Sequence, residues 1–493
     1  MWKNVTENAT RLVIGDPNEV CSRILSLSYN QLPHHLKACF LYFGVFLEDY
    51  EIPVKKLVKL WAAEGFLGAV KHQNMEEVGM ECLKDLVDRS LVIVSRHSYN
   101  GKMKTIRIHD LLQDLCLREA QHENLLNVIA NDYHDVVGLE ILPFFKRKSQ
   151  HSFSKPCRWT SIRPRCFTVD CFDKFHSLHC VNFFSAGVFS HFKLLRIVDM
   201  ELTLPVYGDI VLNLVHLRYL ALSMRRNFGS LKLKLFELPS LQSLIVRGFG
   251  NLDSSHAIEI WTMPQLRNFY ADQICSLETS EGVHKKLETI SWLGQACCTK
   301  DLLTRIPNLK KLGIDGRFSS ANPDCLNNFV DLGQLEKLSI RDWHLKRIPC
   351  SSFLWATSFL PKLKKLSFIR TSLPWSDVRL IGMLPNLEVL KLIHALIGQE
   401  WEPCEGRFRQ LKRLVIRNTH LKYWDVTGDH LPVLECLEIS ECYSLEEIPS
   451  GFADITTLAL IRLSKCSNSL VTSAKLIQEE QNNYGNDVLL VHY

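Results

Sequence analysis

Between Leu195 and Leu463 the chain repeats one spacing twelve times: an apolar residue, two others, an apolar residue, one other, an apolar residue. The series runs Leu195, Val198, Met200; Leu217, Leu220, Leu222; Leu241, Leu244, Val246; Leu266, Phe269, Ala271; Leu287, Ile290, Trp292; Leu309, Leu312, Ile314; Leu335, Leu338, Ile340; Leu363, Leu366, Phe368; Leu387, Leu390, Leu392; Leu411, Leu414, Ile416; Leu434, Leu437, Ile439; and Leu458, Ile461, Leu463. Successive units start about 21 to 28 residues apart. The last two apolar positions of each unit lie two residues apart, so they share one face of a short strand. A single strand cannot bury that face, but stacked parallel strands can share a core. More than half of the chain is thereby committed to a solenoid, an architecture suited to binding rather than chemistry.

The period is that of leucine-rich repeats. Pro239, Pro264, Pro307, Pro361, Pro385 and Pro432 stand just ahead of the first leucine of their units. Proline lacks a backbone donor and suits the approach to a strand, not its interior. The asparagine usual at the repeat corner is mostly missing and unit lengths vary, so an irregular, shallowly curved horseshoe is expected. The unit at Leu266, Phe269 and Ala271 fits the pattern least well. On the concave face the spacing places Lys310, Lys311, Asp315, Lys364, Lys365, Arg370, Lys412, Arg413 and Arg417. These charges either solubilise a sheet surface or meet a protein partner; open solenoids present large concave surfaces for binding.

A chain of 493 residues exceeds one ordinary core and implies two or three domains. Its composition, 46% hydrophobic and 23% charged, is that of a globular protein. A net charge of +5 is too diffuse to argue for nucleic acid. No apolar run has the length of a membrane span, and residues 1–14 have no signal-type apolar core. The 17 cysteines are scattered, without Cys-x-x-Cys pairs or zinc-ligand spacing, which points to reduced, mostly buried thiols in a cytosolic protein.

Residues 20–130 follow another pattern. Val20, Ile24 and Leu27 have helical spacing, Pro33 opens a second helix, and Leu57, Leu60 and Trp61 mark a third that ends near Gly65. Val78, Leu83, Leu86 and Val87 mark a fourth. Phe40, Tyr42, Phe43 and Phe46 read as core. Apolar pieces at 91–94 and 105–108 flank Ser98-Tyr99-Asn100-Gly101, a hairpin signal. Helices followed by a hairpin define a winged-helix module. Asp110 is placed to cap the next helix, with Gln113 completing a capping-box-like pair. Leu112, Leu115 and Cys116 are its expected buried side. The fold class expected is therefore α/β: a helical winged-helix module followed by an irregular leucine-rich-repeat solenoid.

Residues 39–52 (CFLYFGVFLEDYEI) and 57–66 (LVKLWAAEGF), together with Ile108-His109-Asp110, resemble the second half of the nucleotide-binding region of plant intracellular immune receptors. The match is to the coiled-coil class and its late-blight-resistance-like group, and it extends into the irregular repeats. Ile108-His109-Asp110 is similar to the family's Met-His-Asp motif. The resemblance implies that His109 contacts the β-phosphate of bound ADP and that Asp110 supports it in an ADP/ATP switch. The family's phosphate loop, G-x-x-x-x-G-K-[ST], does not occur; the only Gly-Lys, Gly101-Lys102, precedes Met103. The Walker-B-type strand, the Gly-Leu-Pro segment and the coiled coil are also absent, so the chain is expected to be N-terminally truncated and to bind no nucleotide by itself.

The expected organisation is a remnant of a helical subdomain at 1–19, the winged-helix subdomain at 20–130, and a linker and repeat cap at 131–190. The repeats follow at 191–480 and a tail at 481–493. In the middle segment residues 144–148 are basic, and Trp159, Ile162, Phe167 and Val169 suggest a degenerate first repeat. The implied function is plant disease resistance in the cytoplasm, with repeats that recognise a pathogen effector or guarded host protein; a full-length receptor is a further partner. The alternative is a repeat scaffold such as a ubiquitin-ligase substrate adaptor. No catalytic or metal constellation has meaningful spacing, so no enzyme is expected.

Overall fold

In the computed structural model of the protein the chain divides after residue 248 into two units. The structure describes residues 25–68, 75–98, 101–129, 158–162, 177–180, 194–200, 214–223, 238–247, 260–272, 277, 282–316, 328–329, 331–342 and 360–493. The expected remnant at 1–19, the basic run at 144–148, and Phe167 and Val169 lie outside them.

The first unit opens with a helix over 25–30, then α1 (His34–Leu41), β1 (Ile52–Pro53), α2 (Val54–Glu64), α3 (Met75–Asp88), β2 (Ile93–His97), β3 (Met103–Arg107) and α4 (Asp110–His122). Prolines 33 and 53 stand at the starts of α1 and α2, where a missing N–H costs nothing. Leu57, Val58, Leu60 and Trp61 form the buried stripe of α2, and Phe40, Tyr42, Phe43 and Phe46 are buried core. Gly65, at φ +85°, ends α2; the Phe66 N–H reaches back to Trp61 O at 3.0 Å. Strands β2 and β3 pair antiparallel as the expected wing, and β1 completes a sheet of order β1-β3-β2.

The sheet of repeats starts earlier than residue 191. Three residues after α4 the chain enters β4 (Leu126–Ile129), followed by β5 (Trp159–Ile162), β6 (Ser177–Cys180), β7 (Ile197–Met200), β8 (Tyr219–Ser223) and β9 (Ser243–Arg247), each parallel to the next. Strand β4 lies at the end of the segment assigned to the winged-helix subdomain, and β5 and β6 lie within the segment expected as linker and repeat cap. Strand β5 lies at the degenerate repeat suggested by Trp159 and Ile162, while β4 and β6 were not foreseen from the spacing.

The second unit contains β10 (Asn268–Ala271), β11 (Thr289–Gly294), β12 (Lys311–Gly316), β13 (Lys337–Asp342), β14 (Lys365–Ile369), β15 (Leu373–Pro374), β16 (Val389–Ile393), β17 (Leu396–Ile397), β18 (Glu400–Trp401), β19 (Arg413–Arg417), β20 (Tyr423–Trp424), β21 (Cys436–Ser440), β22 (Leu460–Ser464) and β23 (Leu490–His492). The repeat strands pair in parallel, while β15 with β17 and β18 with β20 form two small ladders of their own. Beside these ladders Trp375, Trp401, Trp424 and Phe452 stack at 5.0, 5.9 and 5.1 Å between successive ring centres.

The prolines act one step before the strands. Pro264, Pro307, Pro361 and Pro432 sit inside turns closed by N–H to O bonds from Leu266 to Met263, Leu309 to Ile306, Leu363 to Leu360 and Leu434 to Leu431. A fixed φ near −65° suits the second residue of such a turn. The missing corner asparagine also finds its explanation. Arg370, His394, Asn418 and Glu441 take positive φ of 58°, 49°, 52° and 56° just after their strands, and each N–H donates to the end of the next strand. The residue after each corner, Thr371, Ala395, Thr419 or Cys442, is buried. The Thr371 hydroxyl donates to Ala395 O, and the Cys442 thiol to Ile416 O. Small side chains thus occupy the place of asparagine, and Thr371 and Cys442 supply short donors there.

Two expectations fail in this unit. Trp292 is not a core residue: the register jumps between Ile290 and Leu293, Trp292 adopts φ +52°, and Leu293 takes the buried position. This is a β-bulge, whose extra residue spacing alone does not show. The tail expected at 481–493 is part of the fold: the helix Asn468–Asn483 runs past residue 480, and β23 pairs with β22. The weak unit at Leu266, Phe269 and Ala271 is nonetheless a buried repeat.

Candidate functional site

Helix α2 leaves carbonyl groups unpaired at its C-terminal end, as every helix does. Three arginines from the repeats fill them. Arg158 Nη2 donates to Glu64 O at 2.9 Å, Arg196 Nη1 to the same oxygen at 3.2 Å, and Arg218 Nη1 to Ala63 O at 3.3 Å. Each arginine directly precedes the first residue of its strand in β5, β7 or β8, so the three lie in one row of the sheet. The negative end of the helix dipole favours cations here. The Glu64 side chain, 0% exposed, accepts from Arg158 Nε at 3.2 Å.

A second ion pair stands nearby: Lys56 of α2 meets Asp199 of β7 at 2.9 Å, with side chains 10% and 9% exposed. Tyr42, Phe66 and Trp159 pack edge to face against one another at 5.2 to 5.8 Å. Burial, with Glu64 and Asp199 close by, holds the Tyr42 hydroxyl well above its usual range. Burial and the neighbouring Arg158 and Arg218 charges lower the Arg196 guanidinium, and Glu64 offsets them. None of these residues stood out in the sequence as functional. The available signals were a glutamate just before the glycine that ends an apolar helix, and arginine directly after the first leucine of two successive repeats.

His109 caps α4, which corrects the assignment of Asp110 as the cap. Its Nδ1 accepts from Leu111 N at 3.4 Å and also contacts the Asp110 carboxylate, which itself accepts from Leu111 N at 2.6 Å. Gln113 does not complete a capping box. It is buried, and its Nε2 donates to Phe46 O at 2.9 Å, tying α4 to the aromatic core. His109 and Asp110 are 57% and 61% exposed on their side chains. With Nδ1 engaged locally, Nε2 is the atom that can donate to an anion, at the positive end of a helix of 13 residues. The residues present fit a phosphate contact of that kind. The Asp110 carboxylate, beside Nδ1, holds the ring when both ring nitrogens carry protons.

The charged residues expected on the open sheet face separate into distinct positions. Lys310, Lys364 and Lys412 precede their strands and belong to a row of alternating charge: Glu288, Lys310, Glu336, Lys364, Glu388, Lys412, Glu435. Main-chain bonds of 2.8 to 2.9 Å run along this whole row. Lys310 meets Glu288 at 3.5 Å and Lys412 meets Glu435 at 2.9 Å. Asp315 is 1% exposed and bound by Arg341 at 2.6 Å, so it is part of the sheet's own structure. Arg370 forms a left-handed corner. Arg413 and Arg417 pair with Glu438 at 2.6 Å and Glu441 at 2.8 Å. Lys311 and Lys365 lie on the open face, each in register with Lys337. Among the described residues no group of His, Cys, Asp or Glu could hold a metal ion, and no helix is long and apolar enough to cross a membrane.

Residues 45–116 match the family model described as the disease resistance protein winged helix domain. Joined to the repeats, that module places the chain in the class of winged-helix, leucine-rich-repeat resistance proteins. Along almost its full length it is similar to proteins of Solanum demissum: 30% identical to late blight resistance protein R1-A, over 97% of this chain and 38% of that protein. To the putative late blight resistance protein homolog R1B-8 it is 31% identical, over 100% of this chain and 42% of the relative. In its winged-helix domain and in its similarity along nearly the whole chain it is a plant disease-resistance protein of late-blight-resistance-like type. It spans about two fifths of the length of these curated relatives. Among solved structures it is similar to an internalin of Listeria monocytogenes, 14% identical, with a TM-score of 0.31 over 52% of this chain and 77% of that one.

Proposed function

We propose that the protein acts in plant disease resistance as a cytoplasmic receptor, not an enzyme. Its repeats bind a pathogen-derived or guarded host protein and restrain the winged-helix module. The observation that carries this reading is the row Arg158, Arg196 and Arg218 closing the end of α2, with Glu64 buried beneath it. A partner that binds the repeats better when this contact is open shifts the population toward release. The relatives named for late blight resistance support an immune role, and the winged-helix match disfavours a ubiquitin-ligase adaptor.

In the same reading His109 offers Nε2 to the β-phosphate of ADP, and Asp110 holds the ring. Bound nucleotide would supply the negative charge that this end of α4 favours. The phosphate loop that holds nucleotide in the family does not occur among the 493 residues, so the contact needs residues beyond this chain.

The test exchanges charges at the dock. Lys56→Asp and Asp199→Lys each raise hydrogen exchange in α2, and the double exchange restores protection. In infected leaves, plants lacking the gene support more pathogen growth. Unchanged exchange in the single variants, or unchanged pathogen growth over a panel of pathogens, would overturn the reading.

A further inference from the structure

Cys39 and Cys82 come from different helices of the winged-helix module and meet side chain to side chain. Cys39 stands in the core-facing row of α1 with Leu36 and Phe40, all fully buried. Cys82 lies on α3, partly exposed, beside the buried Leu83. Gly79, one turn before it, lets α3 lie close on α2; a methyl group there would stand 2.6 Å from Val58 Cγ1. Helix α3 thus packs on α2 through Gly79 and reaches α1 through Cys82. The two thiols are free, and they are hydrogen bonded to each other.

Their environments set them apart. The bond to Cys82, and then burial, raises the Cys39 thiol well above its usual range, so it keeps its proton and donates it. The same bond lowers Cys82, against the opposing effects of burial, Glu81 and Asp85. Burial moves Cys116, Cys436 and Cys442 the other way. A sulfur that favours the thiolate and is open to solvent, with a second thiol in contact behind it, has the arrangement of a redox-reactive pair.

We propose that Cys39 and Cys82 form a disulfide when the protein meets hydrogen peroxide, with Cys82 as the attacking thiol and Cys39 as the resolving one. The Cys82 thiolate attacks one peroxide oxygen and the O–O bond breaks. Hydroxide leaves and takes back from solvent the proton that Cys82 had released. The Cys82 sulfur has then lost two electrons to the peroxide and is a sulfenic acid. The Cys39 sulfur attacks it, the S–O bond breaks, and the hydroxyl leaves as water with the Cys39 proton. Two thiols and one hydrogen peroxide thus give one disulfide and two waters. The bridge closes the loop from 39 to 82, which contains all of α2. Such a closure restricts the segment it spans. Oxidation tightens α3 against α1 around the helix whose end the arginine row holds. An effect on the release of α2 rests on the receptor reading above; formation of the bridge does not.

The test exposes the reduced full chain to a small excess of hydrogen peroxide. In chains that run as monomers without reductant, mass spectrometry of tryptic peptides finds the Cys39 and Cys82 peptides linked, and dithiothreitol separates them. Cys82→Ser removes the link. Cys39→Ala leaves a Cys82 sulfenic acid that dimedone traps. The exposed Cys404 and the buried Cys116 react later than Cys82. Hydrogen exchange in α3 slows about ten-fold on oxidation of the wild type and is unchanged in Cys82→Ser. Absence of the link, a bridge from Cys82 to another cysteine, consumption of Cys404 before Cys82, or unchanged exchange in the oxidised wild type overturns the proposal. None of these readouts depends on whether the protein is a receptor.

Discussion

Arg158 holds Glu64 twice, through the carboxylate at 3.2 Å and through the backbone oxygen at 2.9 Å. One side chain therefore satisfies a buried charge and a helix end together. Burying a carboxylate is costly unless it is paired, and removing one member of such a pair leaves the other uncompensated. Glu64→Ala leaves Arg158, one third exposed, without its carboxylate and is expected to destabilise the first unit by roughly 1 to 3 kcal/mol. Urea unfolding followed by far-UV circular dichroism measures it. A loss no larger than that of an exposed surface substitution would show that Arg158 finds water instead.

Gly313 sits beneath the Trp292 ring. A Cβ there would lie 2.9 Å from the Trp292 backbone nitrogen, in a strand that cannot move without breaking register on both sides. Gly313→Ala should cost about 1 to 3 kcal/mol, the range for overpacking. It should also shift Trp292 fluorescence. Gly333→Ala, whose Cβ would meet nothing within 4 Å, is the matched control and should be near neutral.

The twelve triplets revealed the repeat strands because a period of two within a period of about 24 leaves little room for another fold. Among the described residues they misplaced only Trp292, where the bulge inserts one residue. Strand β4 stayed hidden because it lacks the full spacing, and β5 showed only as the degenerate repeat at Trp159 and Ile162. The charged residues expected on the concave face prove mixed in position. Spacing could not tell Lys310, in a self-compensating row, from Lys311, in a row of like charges; the register separates them. The arginine dock was illegible for a different reason. Its partners, Glu64 and Arg158, are 94 residues apart, and no local pattern joins them.

The thiols offer a check on burial. Burial pushes Cys436 up to about 11, with Glu438 adding to the shift, and burial also raises Cys442 and Cys116. A thiol with a raised value stays protonated, and unreactive, until the pH approaches that value. Iodoacetamide at pH 8 should therefore modify the exposed Cys404 quickly and leave these three intact in the native protein. Cys436 labelling should rise as the pH nears 11. Mass spectrometry of tryptic peptides reads all four. Rapid modification of Cys442 at pH 8 would mean that its repeat corner opens.

Nucleotide binding gives the sharpest separation between a site and part of one. His109 contributes one donor atom and the end of one helix; its ring is more than half exposed. An exposed, single charge-assisted bond contributes about 1.5 to 3 kcal/mol at most, and phosphate sites in nucleotide switches gather many donors. The 493-residue chain should therefore show no micromolar affinity for ADP by calorimetry. A chain extended to include a phosphate loop should bind, and His109→Ala in that longer chain should weaken ADP by roughly ten-fold. Micromolar binding by residues 1–493 would mean that other donors gather around His109, and it would return the whole switch to this segment.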